Sequence, residues 1–191
     1  MASDVSICSA ALSLLGDKPI ASLTEPNRTA ATLCANIYPL AREDVLRSHP
    51  WNCLGARVIL SPLSAAPLFE WGYQFTKPGD LLRVITVGYD GQPEEYRFEG
   101  GLILARSSVL RLHYLANKAE GFWDSMLVDV MVKRMAKDLA YPITKSASLA
   151  EGMAQNYEIA LRRAKSVDGQ ENPPEDFIDS PFLAARGGAS T

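Results

Sequence analysis

The chain has 191 residues, of which 47% are hydrophobic and 21% charged, and its formal net charge is −3. A chain of this length buries roughly 70% of its unfolded surface, so its core needs no disulfide or metal. The acidic balance argues against tight DNA binding through phosphates, because that requires a basic surface. No stretch approaches the roughly 18 apolar residues of a membrane span, so we expect no membrane contact.

The N-terminus, Met-Ala-Ser-Asp, does not combine a basic region with an apolar run, and we expect no signal peptide. Three cysteines are widely spaced and form no C-x-x-C pair; they are Cys8, Cys34 and Cys53. Such cysteines are typical of a cytosolic product, and we expect buried, reduced thiols that fill small apolar spaces.

The first helix is predicted from about Asp4 to Leu15, with Ser3 or Asp4 as its N-cap and Gly16 as its stop. A loop follows at 17–27, and Asn27 is predicted to cap the second helix. The stripe of that helix recurs every three or four residues at Ala30, Cys34, Ile37, Ala41 and Val45.

One proline lies within the predicted second helix and another follows it. Pro39 predicts either a kink near Tyr38 or two abutting helices, since proline removes a helical hydrogen bond. Pro50 is expected to end the segment, and Trp51 follows it as a large apolar anchor.

In residues 55–118 the pattern of apolar and polar residues changes to a period of two. Apolar and polar residues alternate at 70–75, 95–99 and 110–114, which predicts strands with one dry face. The nearly continuous apolar run at 81–87 predicts a central strand, and glycines at 89–92 and 99–101 predict hairpin turns. This region is therefore interpreted as a small antiparallel β-unit.

Helical periodicity returns at Phe122 and is predicted to end at Pro142. Apolar residues line this third helix nearly all round, which favours a central position in a bundle or contact with another subunit. They are Trp123, Met126, Leu127, Val128, Val130, Met131, Val132, Met135 and Leu139. A capping box from Ser148 to Glu151 predicts the fourth helix, whose apolar face includes Tyr157 and Leu161.

The fold class predicted from these elements is α+β. Helices at 1–54 and 119–167 would form one bundle, with 55–118 inserted as the β-unit. Residues 168–191 are rich in proline and glycine and are interpreted as an extended C-terminal arm. Its apolar residues are Phe177, Ile178, Phe182 and Leu183, and they favour either a segment that orders on a partner or a frayed end.

The sequence predicts no catalytic residue, cofactor or metal. His49 and His113 lack the closely spaced partners of a metal site. An enzyme would have to use His113 with Glu99 or Arg97, and nothing in the sequence brings these groups together. We therefore expect a protein that is not an enzyme.

Two basic clusters and three tryptophans have both structural and functional interpretations. The clusters consist of Lys133, Arg134 and Lys137, and of Arg162, Arg163 and Lys165. They are either surface charge favoured by a helix dipole or contacts for a partner or channel DNA. Trp51, Trp71 and Trp123 are either core residues or interface anchors.

Three segments together resemble a known family. They are Leu-Gly-Asp-Lys-Pro-Ile within 11–23, Arg-Glu-x-x-Leu-Arg-x-x-Pro-Trp within 41–51, and Trp-x-Tyr followed by Pro-x-Asp-Leu-Leu-Arg-Val within 71–84. Their order and spacing resemble the head-to-tail adaptors of short-tailed bacteriophages, the tail tubular protein A family. Each segment alone is mainly structural, so the resemblance rests on their order.

The resemblance implies a structural virion protein. It implies a homo-oligomeric ring of twelve copies under the portal protein, which extends the DNA exit channel, retains the packaged genome and gives a downstream nozzle or fibre protein its platform. The chain would be in the host cytoplasm before assembly and in the virion neck afterwards, with transient, non-specific contact to genomic DNA. The alternatives are an assembly scaffold or chaperone, another tail-tube component, and a DNA-binding module.

The resemblance also assigns sites. Residues 168–191 become the portal-docking arm, with portal-binding residues at Phe177, Ile178, Phe182, Leu183 and Arg186. The two basic clusters would then face the channel or a partner.

Overall fold

The computed structural model describes residues 2–89 and 92–172. It is a mixed fold of helices and antiparallel strands, which confirms the α+β class predicted from the sequence. The predictions for Phe177, Ile178, Phe182, Leu183 and Arg186 lie outside the described residues.

Four α-helices lie within the described residues and pack against one another. They are α1 (Asp4–Leu14), α2 (Thr29–Arg47), α3 (Ser125–Thr144) and α4 (Ala147–Glu171), with short 3-10 turns at Asn52–Leu54 and Glu120–Phe122. Helix α3 contacts each of the other three, and its buried residues share one apolar core with them. This is the physical reason why α3 is apolar nearly all round.

The helix ends are set by local hydrogen bonds that the sequence predicts only in part. Ser3 caps α1 in a reciprocal pair with Ser6, as expected. Asn27 does not cap α2, because it has a left-handed φ of 58° and Arg28 takes the N-cap position without a side-chain bond. Helix α3 begins three residues after Phe122, since Asp124 accepts hydrogen bonds from the backbone N–H groups of Met126 and Leu127.

Neither internal proline ends its helix. Helix α2 continues through Pro39 as one helix, and α3 continues through Pro142 to Thr144. Near a C-terminus proline removes a single backbone hydrogen bond, and the Thr144 hydroxyl donates back to the carbonyl of Ala140 at 2.7 Å. Lys145, with a left-handed φ of 56°, then stops the helix.

Helix α4 differs from its prediction at both ends. Its N-cap is Ser146 rather than Ser148, and the Ser146 hydroxyl accepts from the N–H of Leu149 at 3.3 Å. At the other end the helix runs to Glu171, past the boundary predicted at 168. The reason is that Asp168 is buried against the turn at Asn52, which holds the last helical turn in place.

In the part of the chain that the structure describes, seven strands form two antiparallel sheets. The strands are β1 (Gly55–Leu60), β2 (Tyr73–Thr76), β3 (Leu81–Tyr89), β4 (Gln92–Pro93), β5 (Tyr96–Glu99), β6 (Leu102–Ala105) and β7 (Leu110–Ala116). One sheet has the order β1-β7-β3-β4 and the other β2-β6-β5. A second apolar core, which includes Phe75, Val87, Ile103 and Leu112, lies within this β-unit.

The β-unit has a helix-side end and a distal end. Strand β1 begins at Gly55, whose carbonyl accepts from Lys118 just before α3. Its six residues then extend about 17 Å, so the β1–β2 loop at 61–72 lies at the distal end.

Candidate interaction surfaces

Arg42 is the centre of a hydrogen-bond network that joins α2 to the chain between β7 and α3. Its Nε donates to Glu120 at 2.7 Å, its terminal nitrogens donate to the Asn117 side chain and the Lys118 carbonyl, and its guanidinium lies 5.3 Å from the centroid of the Trp123 ring. The guanidinium is therefore held by bonds in several directions, and its role is to fix the helices to the β-unit.

The Glu120 carboxylate in this network also accepts a hydrogen bond from the Tyr38 hydroxyl at 3.0 Å. Burial alone would raise the pKa of Glu120, but hydrogen bonds from its own backbone, Arg42 and Tyr38 hold that pKa below its usual value. Burial, followed by the nearby Glu120 charge, raises the pKa of Tyr38. Glu120 is thus stabilised as an anion.

A second network joins the end of α4 to the turn after α2. Asp168 accepts from the backbone N–H of Asn52 at 3.0 Å, and its other carboxylate oxygen lies 3.0 Å from Nε2 of His49. The His49 ring contacts Trp51 edge-on with centroids 4.9 Å apart. His49 therefore has a structural position.

Trp51 and Trp123 are core residues that also donate hydrogen bonds. Trp51 is fully buried and donates to the Val45 carbonyl, whereas Trp123 donates to the Lys118 carbonyl. Trp71 lies just before β2, with the Arg106 guanidinium 5.5 Å from its ring centroid. Its Nε1 is buried and has no partner among the described residues.

The first basic cluster is largely neutralised by its neighbours. Arg134 donates to Asp138 at 2.8 Å and also bonds Asp44, and Lys133 bonds Asp129 at 2.6 Å. The ammonium of Lys137 lies 4.9 Å from the centroid of Tyr157 on α4. These contacts favour the structural interpretation for all three residues: Lys133 pairs within α3, Arg134 links α3 to α2, and Lys137 links α3 to α4.

The second basic cluster has fewer contacts with neighbouring side chains than the first. Arg162 and Arg163 are exposed on α4, and Lys165 is half-buried. Within residues 2–89 and 92–172, none of the three forms an ion pair. Arg162 donates only to the Glu158 carbonyl of its own helix, at 3.3 Å. This cluster remains a candidate surface for a polyanion or an acidic partner.

Large apolar side chains are exposed on both the helices and the β-unit. On the helix side they are Leu14, Leu40, Phe122, Tyr141 and Ile159. On the β-unit the most exposed are Leu68 (97%) and Phe69 (72%) in the distal β1–β2 loop. Single exposed apolar side chains are ordinary on a protein surface, whereas the adjacent pair Leu68 and Phe69 is typical of a surface that contacts another protein. Sequence reasoning missed these loop residues, because neighbouring prolines and small residues hide any apolar period.

The groups considered for catalysis are distributed over two sheets. His113 lies on β7 of the four-stranded sheet, whereas Arg97 and Glu99 lie on β5 of the three-stranded sheet. In the part of the chain that the structure describes, no group of three or more His, Cys, Asp or Glu residues could hold a metal ion. None of the described helices is both long enough and apolar enough to span a membrane.

Neither a protein-family model nor a curated protein matches this chain. The functional interpretation therefore rests on the three motif segments and on where the fold places them.

Proposed function

We propose that this chain is a head-to-tail adaptor of a short-tailed bacteriophage. It would form a homo-oligomeric ring of twelve copies under the portal, extend the DNA exit channel, and offer the tail its attachment platform. The order of the three motif segments, which resemble the tail tubular protein A family, is the starting point for this proposal.

The observation that carries the proposal is that the second and third motif segments meet at one junction. Arg42 bonds the Asn117 side chain, and the Asn117 N–H donates to the carbonyl of Asp80 at 2.7 Å. Nearby, Arg83 donates to the carbonyl of Arg47 at 3.2 Å. These residues fix the β-unit on the helices, as a protein that joins two assemblies requires.

The first motif segment is a folded loop against α1. The Ser9 hydroxyl bonds both the carbonyl and the N–H of Ile20, at 3.1 and 3.2 Å. Arg28 bonds the Lys18 carbonyl and lies 3.7 Å from Asp17. The segment therefore has a defined shape that a neighbouring subunit could recognise.

A connector also needs two separated contact surfaces, and the exposed apolar residues supply them. In the proposal the helices form a bundle that faces the portal, where Leu40 and Phe122 are exposed. The β-unit is an insertion, and its distal loop with Leu68 and Phe69 faces the tail protein. Channel DNA would meet Arg162 and Arg163 rather than the neutralised first cluster.

Electron microscopy of the purified protein, alone and mixed with portal rings of the same phage, tests this function. We expect a second ring below the portal only in the mixture. A portal ring without added density would contradict the adaptor proposal and favour a scaffold or another tail component, which mass spectrometry of purified virions would then separate.

A truncation tests the proposed arm, and the structure sets where it starts. Removing 173–191 keeps Asp168 and the whole of α4, whereas removing 168–191 would also delete a buried carboxylate. We expect the shorter truncation to fold and to lose portal binding. Normal portal binding by that variant would contradict the assignment of the arm.

A further inference from the structure

Strand β5 is an edge strand with one side unpaired. It pairs with β6, and among the described residues no strand pairs with its other side. All four of its residues are exposed, including Tyr96 (39%) and Phe98 (46%), whose rings meet edge-on at 5.7 Å. An exposed edge with apolar side chains is a template for a further strand.

The turn after β5 determines which backbone groups point outward. Gly100 and Gly101 have φ of 57° and 82°, which is typical of a two-residue type I′ hairpin. In such a hairpin the closing pair, Glu99 and Leu102, exchanges hydrogen bonds, and the next residue to do so with β6 is Arg97. The N–H and C=O groups of Tyr96 and Phe98 therefore face the open edge.

The charges on β5 then select one antiparallel register for a second copy of the same strand. With Phe98 opposite the second copy's Phe98, each Arg97 lies opposite a Glu99. Moving the register by two residues places Arg97 opposite Arg97, or Glu99 opposite Glu99, which is unfavourable. Neither residue forms an ion pair within residues 2–89 and 92–172, so both charges are available.

The selected register also gives the outward-facing backbone groups hydrogen-bond partners. Phe98 would exchange two hydrogen bonds with its counterpart at the two-fold axis, and Arg97 and Glu99 would occupy the pairs between hydrogen-bonded ones. Side chains are closest in these pairs, at Cα separations of about 4.5 Å. Backbone pairing and charge pairing therefore agree on one arrangement.

We propose that β5 is a self-association surface, at which two copies of this chain pair antiparallel about Phe98. The contact is two-fold, with the same residues on both copies. It goes beyond the proposed ring, because ring closure needs two different surfaces on each subunit. The chain would therefore have a dimeric state that does not depend on the portal.

Charge reversal tests this register by sedimentation equilibrium of the full chain without portal. Arg97→Glu places Glu opposite Glu in both pairs, and Glu99→Arg places Arg opposite Arg. We expect each variant alone to dimerise about tenfold more weakly than the wild type. A one-to-one mixture of the two should restore wild-type affinity as a heterodimer, and so should the double variant R97E/E99R.

Matched controls carry the same kind of charge change at exposed positions outside β5 and outside the two basic clusters, where no ion pair forms within residues 2–89 and 92–172. Lys77→Glu and Glu151→Arg should dimerise like the wild type, with equal helical content and melting temperature in all variants. A wild type that stays monomeric up to about 1 mM, single variants that dimerise normally, or a mixture that is not rescued would each overturn the proposal. If one single variant does not fold, the double variant still tests the register.

Discussion

Nε2 of His49 lies 3.0 Å from Oδ2 of Asp168, although 119 residues separate the two in the chain. The same carboxylate accepts from the backbone of Asn52, and the side-chain amide of Asn52 donates to the carbonyl of Asp168 at 2.5 Å. This exchange attaches the end of α4 to the point where the chain enters the β-unit. Asp168 is therefore a structural residue of the helix–sheet connection.

Replacing Asp168 should destabilise the fold. Asp168→Ala leaves the part-buried N–H of Asn52 without its acceptor. We expect the free energy of unfolding at pH 7, measured by urea titration, to fall by about 1–3 kcal/mol. Asp129→Ala is the matched control, because the Asp129 side chain is 48% exposed in a one-turn pair with Lys133. That control should change stability by no more than about 0.5 kcal/mol. Equal effects of the two would contradict the role given to Asp168.

Arg42 should be the most important arginine of the second motif segment. Its side chain and that of Glu120 are each 18% exposed, whereas the pair of Arg47 with Glu43 is 51% and 61% exposed. We expect Arg42→Ala to cost about 2–3 kcal/mol, and Arg47→Ala less than about 0.5 kcal/mol. Arg42→Lys should be intermediate, because an ammonium lacks the planar fork that reaches Glu120 and Lys118 together. Chemical denaturation of the three variants measures this predicted order of stability losses.

Glu120 should make stability depend on pH in the acid range. Its pKa is lowered in the folded protein, so the folded state favours the anion more than the unfolded state does. The resulting stabilisation is complete above the pKa of glutamate in the unfolded chain, about 4.3. It is lost as the pH falls through the lower pKa of the folded state. Glu120→Gln should therefore lose more stability relative to wild type at pH 7 than at pH 3. A constant difference across that range would contradict this.

Local signals in the sequence predicted the parts of the fold that short-range chemistry determines. Ser3 caps α1, and the two glycines after Glu99 form the predicted hairpin turn, since each depends on residues a few positions apart. The alternation at 110–114 likewise predicts β7, whose inward residues Leu110 and Leu112 are buried. The cap and the turn each depend on a few neighbouring residues, and β7 depends on an alternation within one short segment.

Long-range contacts determined the features that the sequence did not reveal. The sequence predicts Asp168 as the first residue of the C-terminal arm, and only the fold places it beside Asn52 and His49. In the sequence Arg134 belongs to a basic cluster, and only the fold places Asp44 of α2 beside it. The edge position of β5 also depends on sheet order, which alternation alone cannot specify.

The thiols should differ in reactivity according to burial. Cys8 and Cys34 are fully buried between α1 and α2, and a hydrogen bond with Cys34, followed by burial, raises the pKa of Cys8. Burial raises the pKa of the half-buried Cys53 to about 11, although a hydrogen bond with the Asp124 backbone acts in the opposite direction.

Iodoacetamide labelling followed by peptide mass spectrometry measures this difference. In the native protein we expect only Cys53 to react, slowly at pH 8 and about tenfold faster at pH 9, because the thiolate is the nucleophile. Cys8 and Cys34 should react only after addition of denaturant. Native labelling of Cys34 at the rate of Cys53 would contradict a closed contact between α1 and α2.

Two glycine substitutions should shift stability in opposite directions. Gly88 in β3 has a φ of 122°, and a Cβ there would lie 2.1 Å from the carbonyl oxygen of Gln92. Gly88→Ala should therefore cost at least about 2 kcal/mol, from backbone strain and displacement of β4. Gly152 is inside α4, and a Cβ there meets no atom within 4 Å. Gly152→Ala should stabilise the protein by about 0.5–1 kcal/mol, because alanine loses less backbone entropy in a helix.

The pair of glycine variants separates a local effect from a general one. Both changes add one methyl group, so shifts of opposite sign in the urea midpoints report the backbone conformation rather than the added volume.

Because Gly88 pairs with Pro93 next to the start of β5, we also expect Gly88→Ala to weaken self-association through β5. Gly152→Ala should leave that association unchanged, since α4 takes no part in it. A neutral Gly88→Ala would mean that the hairpin tolerates a side chain and that its left-handed glycine does not position β5.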